Sequence, residues 1–109
     1  MKIILISCVK RKLTYRCRAR DLYISSFFKK NLQYAMTIEH DHIFILSAKY
    51  HLLDLDEEID PYDETLNKMP ALKLKCWAAR VVHQLSERAN LKQDQFVLLA
   101  GAQLNIRNT

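Results

Sequence analysis

Cys8 is followed within four positions by Lys10, Arg11 and Lys12. Cations this close lower a thiol's pKa, and the thiolate is the form that attacks or ligates. The spacing makes Cys8 a candidate nucleophile with Lys12 beside it. The competing reading is a small residue closing a buried strand, because free cysteine is among the most buried residue types. Lys49 is the second candidate, within Ser47-Ala48-Lys49-Tyr50-His51. An amine directly after an apolar run binds an anion or acts as a base where it faces a cleft; elsewhere it is an ordinary solvated lysine. Ser7, Ser47, Tyr50, Asp63, Thr65 and Gly101 are candidate substrate contacts. His51 is a weaker candidate base.

The remaining thiols read differently. Cys17 lies among arginines, and Cys76, beside Trp77, reads as structural. Three cysteines cannot all pair, and neither a Cys-x-x-Cys pair nor a zinc-like Cys/His spacing occurs. Reduced thiols in a cytoplasm are the simplest account. The carboxylates between Asp54 and Glu64 are numerous enough for a hard cation, but they lack the ligand alternation and glycine of a calcium loop. A solvated acidic loop, or one that pairs internally with the basic segment, is the stronger expectation. There is no glycine-rich phosphate loop, nucleophile elbow or metalloprotease motif, so no cofactor and no metal are expected.

The charge is uneven. Residues 1–30 hold nine Lys/Arg and one acid, whereas residues 31–109 hold eight Lys/Arg and eleven acids. Lys10, Arg11, Lys12, Arg16, Arg18 and Arg20 carry most of the excess. Such a stretch attracts phosphate, on a nucleotide or along a nucleic acid. A solvated basic loop is the plainer reading.

These residues need a scaffold. Lys2 to Cys8 reads as a buried strand, since a continuous aliphatic run suits a parallel strand covered on both faces. Residues 9–20 form a polar, basic connection. A helix follows from about Leu22 or Ser25 to about Glu39, capped by Asp21 or Ser25, with Ile24, Phe27, Phe28, Leu32, Ala35 and Ile38 inward. His42 to Leu46 is a second strand. Pro70 fits the first turn of another helix with Asn67 as its cap. That helix buries Leu74, Trp77, Ala78, Val81 and Leu85 and ends near Asn90. Phe96 to Ala100 is a third strand.

Strands alternating with helices predict an α/β fold, a three-layer sandwich on a mostly parallel sheet, in one domain over residues 1–109. Ile3–Ser7, Ile43–Ser47 and Phe96–Ala100 are expected to run parallel and adjacent. Ligands in such sheets collect beyond the carboxyl ends of the strands, where Ser7 and Cys8, Ser47 to His51, and Gly101 converge. No apolar run is long enough to cross a bilayer, and Ile3 to Ile6 is too short for a signal-peptide core. The expectation is a cytoplasmic chain without a membrane partner.

Five motifs occur in order: Ser7-Cys8-x-x-x-Lys12, Asp21-Leu22-Tyr23, Phe44-Ile45-Leu46-Ser47-Ala48-Lys49-Tyr50-x-Leu52-Leu53, Pro61-Tyr62-Asp63-x-Thr65-Leu66, and Leu99-Ala100-Gly101. Together they resemble a family of small bacterial and phage domains of unknown function. That family is distantly similar to the YaaA peroxide-stress proteins and to the core domain of archaeosine synthase. The latter modifies a deazaguanine base in transfer RNA and has a Cys-x-x-x-Lys motif similar to Cys8–Lys12. The resemblance implies an α/β fold, work near nucleic-acid metabolism, and Cys8 and Lys12 as site residues. Relatives usually carry glycine where this chain has His51; glycine permits a positive φ there and histidine tolerates it at some cost, so the resemblance leaves the local loop shape open. Relatives also continue past Leu99-Ala100-Gly101, which implies that C-terminal elements of the sheet are missing here.

Three functions compete. The first is an enzyme acting on a nucleobase or nucleotide through Cys8, Lys12 and Lys49. The second is a nucleic-acid-binding module built on Lys10, Arg11, Lys12, Arg16, Arg18 and Arg20. The third is a shortened, inactive remnant. Because Phe96 to Ala100 has no charge or proline to discourage pairing, self-association through this strand region is also expected.

Overall fold

The computed structural model of the chain describes residues 1–7 and 12–99. The elements in chain order are β1 (Lys2–Ser7), β2 (Cys17–Arg18), α1 (Ala19–Leu22), α2 (Ser26–Thr37), β3 (His42–Ser47), β4 (His51–Asp54), β5 (Glu58–Ile59), a 3-10 turn (Leu66–Lys68), α3 (Ala71–Arg88) and β6 (Gln95–Leu99).

The result is a mixed α/β protein on a four-stranded sheet of order β4-β3-β1-β6. β1 pairs in parallel with β3 on one side and β6 on the other. The three apolar runs therefore lie parallel and adjacent, over the part of the last one that is described. β4 adds an antiparallel margin to β3. The sequence reading missed it, because Leu52-Leu53 is too short an apolar run to stand out before the acidic stretch.

Alternation along the strands gives the sheet two apolar faces. Ile4, Ile6, Ile43, Ile45 and Leu53 pack with Leu22, Tyr23, Phe28 and Ala35. Ile3, Leu5, Phe44, Leu46 and Leu52 pack with Val81 and Leu85 of α3. Buried on both sides, the central strands need the unbroken aliphatic runs that they have.

The helix boundaries differ from the expected ones. Ser25 caps α2, its hydroxyl accepting from the Phe28 amide at 3.2 Å. Phe28 is buried and Phe27 is 56% exposed, because neighbours on a helix point about 100° apart and only one can face the sheet. Pro70 occupies the N-cap position of α3, while Asn67 lies in the preceding 3-10 turn. Leu74 and Ala78 are exposed.

The basic connection holds structure of its own. β2 pairs antiparallel with β5. The Ala19 amide donates to the Glu57 carbonyl at 2.8 Å, and the Arg20 amide to the Leu55 carbonyl at 2.9 Å. Arg16 meets Asp60 at 3.1 Å, Arg18 meets Asp21 at 3.3 Å and Asp56 at 3.5 Å, and Arg20 meets Asp56 at 3.1 Å. Of the two arrangements expected for the acidic stretch, pairing with the basic one is what the structure has. Exposed ion pairs contribute at most about 1 kcal/mol each, so the ribbon and buried Ile59 hold this strap more than the charges do.

No helix among the described residues is long and apolar enough to cross a membrane. Among the described residues, β6 pairs with one strand, β1, and its Leu98 is exposed.

Candidate functional site

The carboxyl ends of β1, β3 and β6 share one edge of the sheet. Ser7 stands opposite Leu46, and Leu99 opposite Ile6. Ser7 and Ser47 are both buried there. A buried hydroxyl needs partners, and Ser47 has several. Its Oγ accepts from the Tyr50 amide at 2.9 Å and the Lys49 amide at 3.3 Å. It donates to the Tyr62 hydroxyl at 2.9 Å. The Tyr62 hydroxyl lies 2.6 Å from that of Tyr23. Three buried hydroxyls thus form a chain from the end of β3 to the residue that follows α1.

Aromatic rings and an ammonium surround this chain. Lys12 Nζ lies 4.4 Å from the Tyr62 ring centroid and 6.0 Å from that of Tyr23. The Tyr50 ring meets Tyr62 edge-on at 5.6 Å, and its hydroxyl donates to the Asp60 carbonyl at 3.3 Å. A cation over aromatic faces is held by their quadrupoles. Among the candidate residues, Ser7, Lys12, Ser47 and Tyr50 therefore gather at one end of the sheet. Cys8, Lys10, Arg11 and Gly101 lie outside the described residues.

Lys49, whose Nζ lies 5.6 Å from the Tyr50 ring centroid, also belongs to a neighbouring cleft. With His51 it lines a cleft of about 270 Å³ between the β3–β4 turn and α3, where Glu64, Lys73, Trp77 and Arg80 complete the walls. The Trp77 indole N–H donates to the Ser47 carbonyl at 2.8 Å, fixing the ring. Cys76 is exposed and lines the same cleft, so it is not the packed residue that its neighbour Trp77 suggested. Asp63 and Thr65 line an adjoining cleft of about 150 Å³ that shares Glu64 and Lys73. Lys73, Trp77 and Arg80 were missed from sequence. Their spacing of four and three residues does place them on one helix face, of which only Trp77 was singled out, as a buried residue.

Two shifted groups bear on the chemistry. Burial pushes the Cys17 thiol up, and the charges of Asp21 and Glu58 add to it. Arginine neighbours therefore do not activate this cysteine; they are already paired with carboxylates. His51 is held below the ordinary imidazole range by burial first and by Arg80 second, against an opposing hydrogen bond to the Tyr50 backbone. It is neutral at pH 7.

His51 also has φ of 68°, the left-handed region that favours glycine. Its strain is about 1–2 kcal/mol, offset in a glycine variant by about 0.4–1 kcal/mol of extra unfolded-chain entropy. His51→Gly is expected to raise stability by up to about 1 kcal/mol at pH 8. A depressed pKa gives stability that is present above the unfolded value and lost as pH falls through the folded one. The variant's advantage should widen below about pH 6.5. Urea unfolding at pH 8 and pH 5 checks both parts; a less stable variant at either pH would mean that the imidazole contacts outweigh the strain.

Among the described residues, no group of three or more His, Cys, Asp or Glu side chains could hold a metal ion. Neither the curated proteins nor the solved structures contain a match to the chain. Residues 3–106 match the model of a family of unknown function, DUF6884.

Proposed function

We propose, for a chain that belongs to the DUF6884 family of unknown function, an enzyme acting on a nucleobase or nucleotide at the carboxyl ends of β1 and β3. The fold is taken as a three-layer α/β sandwich, and the distant likeness to archaeosine synthase and the YaaA proteins is part of this reading. Cys8, which follows Ser7 at the end of β1, is the nucleophile. Lys12 and Lys49 stabilise negative charge in the reacting ligand, and Ser7, Ser47, Tyr50, Asp63, Thr65 and Gly101 are its contacts.

The observation that carries this is the chain of hydroxyls through Ser47, Tyr62 and Tyr23 with the Lys12 ammonium lying over Tyr62. Oriented O–H groups, aromatic edges and a cation are what a site needs to read a polar heterocycle and hold charge beside it. A binding module without chemistry would rely on free guanidiniums, and Arg16, Arg18 and Arg20 are already within reach of carboxylates. In this reading Arg16, Arg18 and Arg20, with Lys10 and Arg11, are supporting residues.

Timed alkylation by iodoacetamide at neutral pH tests the reading. Cys8 should react faster than exposed Cys76, and Cys17 should be slowest because its thiol is pushed up. Guanosine or guanosine monophosphate should slow the labelling of Cys8 alone. If Cys8 reacts no faster than Cys76 and neither compound protects it, the enzyme reading fails.

A further inference from the structure

The cations of this protein divide by what faces them. Arg16, Arg18, Arg20 and Arg88 each lie within ion-pair distance of a carboxylate. Lys49, Lys73 and Arg80 have no ion pair among the described residues, yet all three line the cleft between the β3–β4 turn and α3. Like charges around one concavity repel each other and raise the local concentration of anions. Glu64 is the single carboxylate on the same wall, which leaves the cleft with a net positive charge.

Further features fit an anion. Lys73 sits in the first turn of α3, a turn without an acidic residue, where the helix field disfavours a cation. A bound anion relieves that conflict. The cleft continues past Lys73 into its neighbour, where Thr65 Oγ1 is buried without a hydrogen-bond partner among the described residues. Such a hydroxyl is a ready donor to an oxyanion. Trp77, tied to the Ser47 carbonyl, supplies a rigid aromatic wall. Ser47 therefore belongs to both places, with its carbonyl on the cleft side and its Oγ in the hydroxyl chain.

We propose that this cleft is a phosphate-binding subsite, in which Lys49, Lys73 and Arg80 hold the phosphoryl group of a phosphate monoester. The inference deepens the nucleotide reading and rests on it in one respect, the identity of the monoester as a nucleotide. Inorganic phosphate is the other source of the same chemistry. Arg80 offers a planar fork to two phosphoryl oxygens, and the two lysines act as point charges.

The chain has one tryptophan, so its intrinsic fluorescence reports directly on the cleft. Guanosine monophosphate, guanosine and inorganic phosphate would be titrated separately into the parent protein and into a Lys73→Gln/Arg80→Gln variant. Both side chains are exposed, and thermal melting would verify that the variant is folded. A Lys49→Gln variant gives an independent second readout. The monophosphate should quench or shift the emission saturably, with its affinity falling at least about tenfold in the double variant. Guanosine affinity should not change. Equal monophosphate affinity in the parent and both variants would overturn the subsite, as would guanosine binding as tightly as its monophosphate. Should inorganic phosphate bind with the same variant-sensitive affinity as the monophosphate while guanosine does not bind, the subsite stands and the nucleotide reading falls.

Discussion

Phe44→Ala is expected to lower the unfolding free energy by about 3–5 kcal/mol, the range for deleting a buried aromatic ring. Phe44 is 1% exposed in the third position of β3. Its ring packs with Ile3, Leu5, Leu46, Leu52, Val81 and Leu85, and so joins two strands beside it to α3. His42 stacks against it with ring centroids 5.7 Å apart. The Arg88 guanidinium lies 4.8 Å from its centroid while holding Asp54 at 3.0 Å. Alanine removes the ring and strands the arginine, and strand backbone cannot collapse into the space. Against a typical total of about 5–15 kcal/mol, this is a large share of the stability and, at the low end of that range, most of it. Urea unfolding measures this directly, with the midpoint falling and the slope unchanged. A loss below about 1.5 kcal/mol would mean that α3 closes onto the sheet without the ring.

Ser47→Ala should cost about 2–4 kcal/mol although it removes a single oxygen. The side chain is completely buried. Without its Oγ, the Tyr50 amide and the Tyr62 hydroxyl each lose a partner in a place where water does not replace it. An unmet buried donor or acceptor costs about 1–3 kcal/mol. Tyr62→Phe breaks the same chain from the other side and leaves the amide bonds of Ser47 in place, so its cost should be smaller, about 1–2 kcal/mol. The double variant should lose less than the two single losses added together, because both act through one contact. Strict additivity would show that Ser47 and Tyr62 do not act as a unit.

The order of the main elements was legible because their signals are local. Ile3-Ile4-Leu5-Ile6 and Ile43-Phe44-Ile45-Leu46 are unbroken apolar runs, and such runs belong to strands buried on both faces. Ser25 could be read as a cap from its type and place alone. The strap between β2 and β5 left only a charge pattern in the sequence. Opposite runs invited pairing, but the ribbon joins Cys17 to Ile59 across 41 intervening positions, and no local period records that. The site divides in the same way. Ser47 and Lys49 stand out because a polar residue abruptly follows an apolar run. Tyr23 and Tyr62 could have been found only as motif residues, since the bond between their hydroxyls is a tertiary event. Lys73 and Arg80 looked like an ordinary solvated helix face until the β3–β4 turn placed Lys49 across from them.

The strand order has a consequence for synthesis. β1 lies between β3 and β6, so this strand, made before either of those neighbours, receives the second of them late, when Gln95–Leu99 emerges. Until then, Ile3 to Ile6 present one bare flank even after α2 and β3 have settled. A nascent chain in this condition is prone to pair with another copy, and pairings between distant segments form slowly. Emergence of β6, and not of either long helix, marks the point at which β1 gains the second of its two described neighbours. A pause in translation before Gln95 would prolong the interval in which that flank of β1 stays bare.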